Sequence, residues 1–114
     1  MKKNILITGG FGLLGQSLVR KIDKKKYKIF LLDKKKYKKR NRFLYNNHKD
    51  VNIVHGNFNS FQFISKLIKV KKIKIIFHTG AVTQVLESLK DPFKTYETNI
   101  SGTINILESV RKLD

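Results

Sequence analysis

Three glycines at three-residue intervals, Gly9, Gly12 and Gly15, stand in the stretch TGGFGLLG between an apolar run and an amphipathic one. The preceding residues 4–8 (NILIT) are apolar and partly β-branched. Leu14, Leu18 and Ile22 follow at i, i+4 and i+8, the spacing of a helix face. This predicts a buried strand, a glycine turn and a helix. The glycines serve a turn with unusual backbone angles, a close approach of backbone to a ligand, and tight packing of helix on strand. A helix that starts there aims free N–H groups at an anion.

The same alternation repeats along the chain. Lys28–Leu32 (KIFLL) reads as a second strand ending at Asp33, and the basic stretch KKKYKKRNR after it reads as a solvated loop. Val51–His55 (VNIVH) is a third strand. Asn59 with Gln62 has capping-box spacing and opens a helix burying Phe63, Ile64, Leu67 and Ile68. Ile73–His78 (IKIIFH) is a fourth strand. Asp91 and Pro92 then supply an N-cap and a first-turn proline for a helix carrying Phe93, Tyr96, Ile100, Ile104 and Leu107. Strands alternating with helices imply right-handed βαβ units, hence an α/β doubly wound parallel sheet of Rossmann type, ending after about four strands in the order 3-2-1-4. That order puts the switch point between the first and fourth strands, so the loops after Thr8 and His78 are expected to meet at one crevice.

A glycine triplet alone is a weak signal. Here it follows a strand, opens a helix, and has Asp33 eighteen residues beyond Gly15 at the end of the next strand, which together point to a dinucleotide. Asp33 would accept from the adenosine ribose hydroxyls, which favours NAD. Lys34, Lys35 and Lys36 beside it could hold a 2′-phosphate, so NADP stays open.

Charge sets a competing reading. The chain of 114 residues carries 25 basic and 8 acidic side chains, a formal net charge of +17, which raises nucleic acid as a partner. All but four of the basic residues (Arg20, Arg40, Arg42, Arg111) are lysines, and guanidinium is the group that forks onto phosphate and base edges. The loop Lys34–Arg42 lacks aromatic interleaving beyond Tyr37, and Phe30, Phe61, Phe63 and Phe77 sit in core-like periodicity. Lysine spread over solvated faces accounts for the charge, and nucleic acid is the weaker reading. With no cysteine, disulfide scaffolds and thiol chemistry are excluded. His48, His55 and His78 are isolated, so no metal site is expected, and His78 reads as a strand-end side chain bonded to backbone. No apolar run approaches the roughly 18 residues of a membrane helix. A cytoplasmic location is the default expectation.

TGGFGLLG, the strand end at Asp33, HGN at 55–57, IIFHTGA at 75–81 and ESLKDPFKTYETNISGTINILES resemble the amino-terminal part of an extended short-chain dehydrogenase/reductase of the nucleotide-sugar epimerase/dehydratase branch. The resemblance covers essentially the whole chain. It implies that residues 1–114 are a partial NAD(P)-binding domain, with later strands and a substrate domain outside it. Gly9, Gly12, Leu13 and Leu14 would line the pyrophosphate and Asp33 the adenosine ribose. Asn57 and Phe58 would meet the adenine, Asn57 replacing the family's usual Asp. Thr79, Gly80 and Ala81 would pass the nicotinamide side, and Asn99 would brace the loops there. Thr83 stands where some 4-epimerases have a Lys that reaches the cofactor. The family's Tyr-x-x-x-Lys pair follows a fifth strand that this chain does not reach. The local match Tyr45-Asn-Asn-His-Lys49 falls in the basic loop, as chance in a lysine-rich chain allows, so no catalytic residue is assigned and the chain is expected to lack turnover alone. The complete enzyme would take a nucleotide-sugar, moving hydride between a sugar carbon and the nicotinamide. A homodimer or a complementing chain is implied as partner, and a non-catalytic dinucleotide-binding module is the alternative.

Overall fold

The computed structural model describes residues 1–34 and 51–113. Four parallel strands, β1 (Lys3–Thr8), β2 (Tyr27–Asp33), β3 (Val51–His55) and β4 (Ile73–His78), form one sheet in the order β3-β2-β1-β4. The helices are α1 (Leu13–Lys21), α2 (Phe61–Val70), α3 (Val85–Lys90), α4 (Pro92–Tyr96) and α5 (Gly102–Arg111), with a π-helical turn, Glu97–Ser101, joining the last two. The α/β doubly wound architecture and the strand order are those expected from the sequence.

Period-two alternation divides the central strands between two cores. Ile5, Ile7, Ile29 and Leu31 point to one face, where Val19 of α1 packs on them. Leu6, Phe30 and Leu32 point to the other, against Ile64, Leu67 and Ile68 of α2 and Ile106 of α5. Both faces being covered is why β1 and β2 read as continuous apolar runs. The outer strand β4 is less enclosed, and Phe77, expected in the core, is exposed. Phe61 is half-buried under the Lys112 ammonium, 5.2 Å from its ring centroid.

Three local expectations are corrected. The face of α1 that packs inward is set by Gly15 and Val19, with Leu18 and Ile22 flanking it, while Leu14 is exposed. The reason is Gly15, where a Cβ would lie 2.6 Å from the Gly9 carbonyl oxygen, so the helix phase is fixed by contact with the turn rather than by its leucines. The cap of α2 is Ser60, whose hydroxyl accepts the Phe63 N–H at 3.3 Å. An Asx turn at Asn57, whose Oδ1 accepts the Asn59 N–H at 2.9 Å, carries the chain one residue further before the helix starts. Finally, Asp91 does cap the helix beginning at Pro92, accepting from the Lys94 N–H at 3.0 Å. Yet the helix is interrupted by the π turn, and its stripe of Phe93, Tyr96, Ile100, Ile104 and Leu107 is exposed. Thr98, Gly102, Ile106 and Ser109 are buried instead. Gly102 decides this, since a Cβ there would come within 2.4 Å of the Phe58 ring. Small residues bring α5 down onto the sheet, and the large ones are left outside.

Leu6 is fully buried and Ile104 is 56% exposed. Leu6→Ala should therefore cost about 2–5 kcal/mol of unfolding free energy in a urea titration, and Ile104→Ala within about 0.5 kcal/mol. Both costs are read on the dilute chain at low ionic strength, where it is monomeric; equal costs there would mean that the stripe is packed within the chain itself.

Candidate functional site

At the carboxyl end of the sheet the turn after β1 and the loop after β4 face one another across a crevice of about 420 Å³. Gly9, Gly12, Leu13, Leu14, Asp33, Asn57, Phe58, Thr79, Gly80 and Ala81 all line it. Asn99 does not line it and acts from behind. Phe11, Leu32, Val82, Glu87 and Thr98 also line the crevice and were not anticipated as site residues. Phe11 follows directly from the loop that carries it; Glu87 and Thr98 had no sequence signal, because only the folding of α3 and the π turn over the crevice brings them there.

The turn is built for close approach. Gly9 has φ +65°, and a Cβ on it would lie 2.9 Å from Gly80 Cα, so the two loops touch backbone to backbone. Gly12 caps α1 without a side-chain hydrogen bond, and no acidic residue stands in the first turn. The N–H groups of that turn and the positive end of the helix dipole are therefore left for an anion. Leu13 and Leu14 flank this end with exposed side chains.

Asp33 closes the second side. Its Oδ2 accepts the Phe11 N–H at 3.1 Å, so the strand-end carboxylate steadies the glycine turn as well as facing the crevice. Lys34 lines the crevice beside it, and its carbonyl contacts His55 Nε2 at 2.8 Å. Lys35, Lys36, the rest of the basic loop and Tyr45–Lys49 lie outside the described residues. Asn57 presents a side chain whose oxygen already serves the Asx turn. The Phe58 ring is a wedge: it meets Gly80 and Gly102 and stands edge-on to the His78 ring, centroids 4.9 Å apart at 87°.

The loop after β4 is held at two points. The Gly80 N–H donates to Thr8 Oγ1 at 3.1 Å, and the Thr79 hydroxyl donates to the Thr8 carbonyl. Further along, Asn99 Oδ1 accepts the Val82 N–H at 2.8 Å while its Nδ2 donates to the Val82 carbonyl at 2.9 Å. The π turn is what aims Asn99 there; such wide turns recur at functional sites. His78 is not bonded to backbone as its strand-end position suggested. Its Nδ1 lies 2.7 Å from Thr8 Oγ1 and its Nε2 3.0 Å from Thr103 Oγ1. Thr8 and Thr103 escaped the sequence reading because a threonine at a strand end or within a helix gives no pattern of its own. Among the described residues, no cluster of His, Cys, Asp and Glu could hold a metal ion, and no helix is long and apolar enough to cross a membrane.

Asn99→Leu removes two hydrogen bonds worth about 1 kcal/mol each, and exchange of the Val82 amide should rise by roughly 30-fold while the β1 amides keep their protection. Unchanged exchange at Val82 would mean that another contact holds the loop.

The model of the NAD dependent epimerase/dehydratase family matches residues 5–114. A putative UDP-glucose 4-epimerase of Methanocaldococcus jannaschii is 31% identical over 110 residues, covering 96% of this chain and 34% of that protein. A dTDP-D-glucose 4,6-dehydratase of Dictyostelium discoideum is 34% identical over 113 residues, covering 96% and 26%. Among solved structures, the UDP-Glc/GlcNAc 4-epimerase from Campylobacter jejuni superposes with a TM-score of 0.83 at 28% identity, covering 96% of this chain and 34% of that one. The UDP-glucose 4-epimerase of Thermus thermophilus in complex with NAD gives 0.79 at 25%, with the same coverage. The chain thus spans about a third or less of the length of these relatives. It belongs to the NAD dependent epimerase/dehydratase family.

Proposed function

We propose that the crevice binds NAD and that this chain is the cofactor-holding part of an enzyme that epimerises or dehydrates a nucleotide-sugar. The observation that carries the reading is the start of α1, with no side-chain cap bond and no acidic residue in its first turn, directly after a positive-φ glycine turn. It offers backbone N–H groups to a pyrophosphate and room for it to come close. Asp33 at the end of β2 supports an adenosine ribose next to it. The small side chains at Thr79, Gly80 and Ala81 support the nicotinamide half on the other side, where the Gly9–Gly80 contact brings the loops together.

NAD, when bound, accepts a hydride from a sugar carbon and returns it. The chain's own contribution is to bind and orient. The first turn of α1 takes the phosphates, Asp33 fixes the adenosine end, and the loop tied to Thr8 and Asn99 sets how deep the other end sits. Residues 1–114 are read as one NAD(P)-binding domain, and the Tyr-x-x-x-Lys acid–base pair of the family is read as lying outside them. The chain by itself should not turn over UDP-glucose. NAD is preferred to NADP because Asp33 would repel a 2′-phosphate, with Lys34 nearby softening the preference.

The exposed stripe Phe93, Tyr96, Ile100, Ile104 and Leu107, continued by Leu86 and Leu89 on α3, supports a second copy of the chain as partner rather than a nucleic acid, whose phosphates it cannot pair. Apolar faces of this extent mark interaction surfaces. The cytoplasm is the compartment this reading assigns.

NAD at a hundred times its Kd should raise the unfolding free energy by about 2.7 kcal/mol, and the response should persist at high salt. Asp33→Asn keeps an acceptor for the Phe11 N–H but removes the charge; it should weaken NAD roughly tenfold and narrow the gap to NADP. No stabilisation by either nucleotide would sink the reading, and stabilisation by nucleic acid that collapses with salt would favour the competing one.

Sedimentation should show association that strengthens with ionic strength, as screening offsets the repulsion between chains of charge +17, and Ile104→Glu should abolish it. A monomer under all salt conditions would remove the second copy.

A further inference from the structure

We propose that His78 is a positioning residue: held as a neutral Nε2–H imidazole between Thr8 and Thr103, it relays hydrogen bonds that set the spacing of the two loops around the crevice. The inference rests on the crevice being the dinucleotide site proposed above.

The available protons select the tautomer. Thr103 has one hydroxyl proton, and it goes to the Asn99 carbonyl at 2.7 Å. The contact of 3.0 Å between Thr103 Oγ1 and His78 Nε2 must then carry the proton of the ring. With Nε2 protonated, Nδ1 of the neutral ring is bare and accepts the Thr8 hydroxyl proton at 2.7 Å. Having spent its proton, Thr8 Oγ1 receives the Gly80 N–H at 3.1 Å. Every donor in the series from Gly80 through Thr8, His78 and Thr103 to Asn99 points the same way. Asn99 in turn grips Val82, two residues beyond Gly80, with both atoms of its carboxamide. The chain of bonds closes on the loop from which it started.

No other state of the ring satisfies these partners. An Nδ1–H tautomer would strip the Thr8 hydroxyl proton of its acceptor at a residue with no exposure, and would leave Nε2 facing a hydroxyl whose proton is committed. An imidazolium would meet the first of these difficulties as well. The groups that meet the ring, Thr8 from β1, Thr103 from α5 and Phe58 from the segment after β3, are all uncharged. Burial accordingly lowers the His78 pKa below the ordinary 6.5. The sequence neighbours of these groups give the relay its reach. Thr8 immediately precedes Gly9, and His78 immediately precedes Thr79 and Gly80, so the ring controls both sides of the Gly9–Gly80 contact.

The ¹⁵N-labelled chain tests this by imidazole nitrogen chemical shifts across pH, by amide exchange at Gly80, and by NAD titration. His78 should show a protonated Nε2 and a bare Nδ1, and should stay neutral as the pH falls through 6.5. Thr8→Val should accelerate Gly80 exchange at least tenfold and weaken NAD by a similar factor, with Thr8→Ser restoring both. Thr103→Val keeps the hydrophobic volume, and should shift the ring away from the pure Nε2–H pattern. A protonated Nδ1, a rapid mixture of tautomers, or a Thr8→Val chain with unchanged Gly80 exchange would overturn the proposal. Should the parent chain bind no NAD, the dinucleotide reading falls, and the nitrogen shifts and Gly80 exchange still decide whether His78 sets the loops. If Thr8→Val fails to fold, the shifts of the parent chain and of Thr103→Val decide it.

Discussion

The contact between Gly9 and Gly80 is the constraint around which the rest is arranged. Two loops from neighbouring strands approach until a single Cβ would collide with backbone 2.9 Å away. Nothing but hydrogen at Gly9 fits there, and the positive φ at Gly9 is a backbone conformation that residues with a side chain rarely adopt. Gly15 then carries the same closeness into the helix. The parallel pairing of β1 with β4, from Ile5–Ile75 to Thr8–His78, delivers the loops in register. The Asp33 carboxylate holds the glycine turn through the Phe11 N–H, and the buried Thr8 hydroxyl holds the facing loop through the Gly80 N–H. A site assembled in this way is made largely of backbone, and its side chains mostly secure the backbone.

That division of labour explains what the sequence disclosed and what it withheld. Strands β1 and β2 were legible because residues covered on both faces give unbroken apolar runs. The glycine turn was legible because each of its glycines answers a steric demand. Asp33, at a fixed distance beyond the turn, was legible as a strand end. The switch-point crevice followed from strand order alone. By contrast, the packing of α1 is only partly legible: Leu18 and Ile22 of the helical spacing do flank the core, but Gly15, which a hydrophobicity pattern passes over, sets how closely the helix sits on the turn. The same happened at α5, where Gly102 and Ser109 are buried and the large residues are not. Sequence periodicity finds an apolar stripe without saying which way it faces. At Asn59 the capping pattern was present, but the preceding Asn57 captured the Asn59 N–H and moved the start to Ser60.

The polar residues behind the crevice were the least legible. Thr8, His78, Thr103 and Asn99 are far apart in the chain and become neighbours only when β1, β4 and α5 converge. Each is ordinary in its local setting. Their meaning lies in the direction of the protons they share, a property of the assembled fold and of no segment within it.

The wide turn at Glu97–Ser101 gives that assembly a particular vulnerability. A π turn holds one residue more than an α turn, so deleting a residue there would let α4 and α5 merge into an uninterrupted helix without damaging either flank. The sheet and both cores could survive such a loss. Asn99 would nevertheless rotate off Val82, and the apolar stripe before the turn would swing by roughly 100° relative to the one after it. Folding and site are thus separable here by a single codon: a lineage could discard the cofactor loop's anchor and the continuity of its outer face in one step while keeping a stable protein.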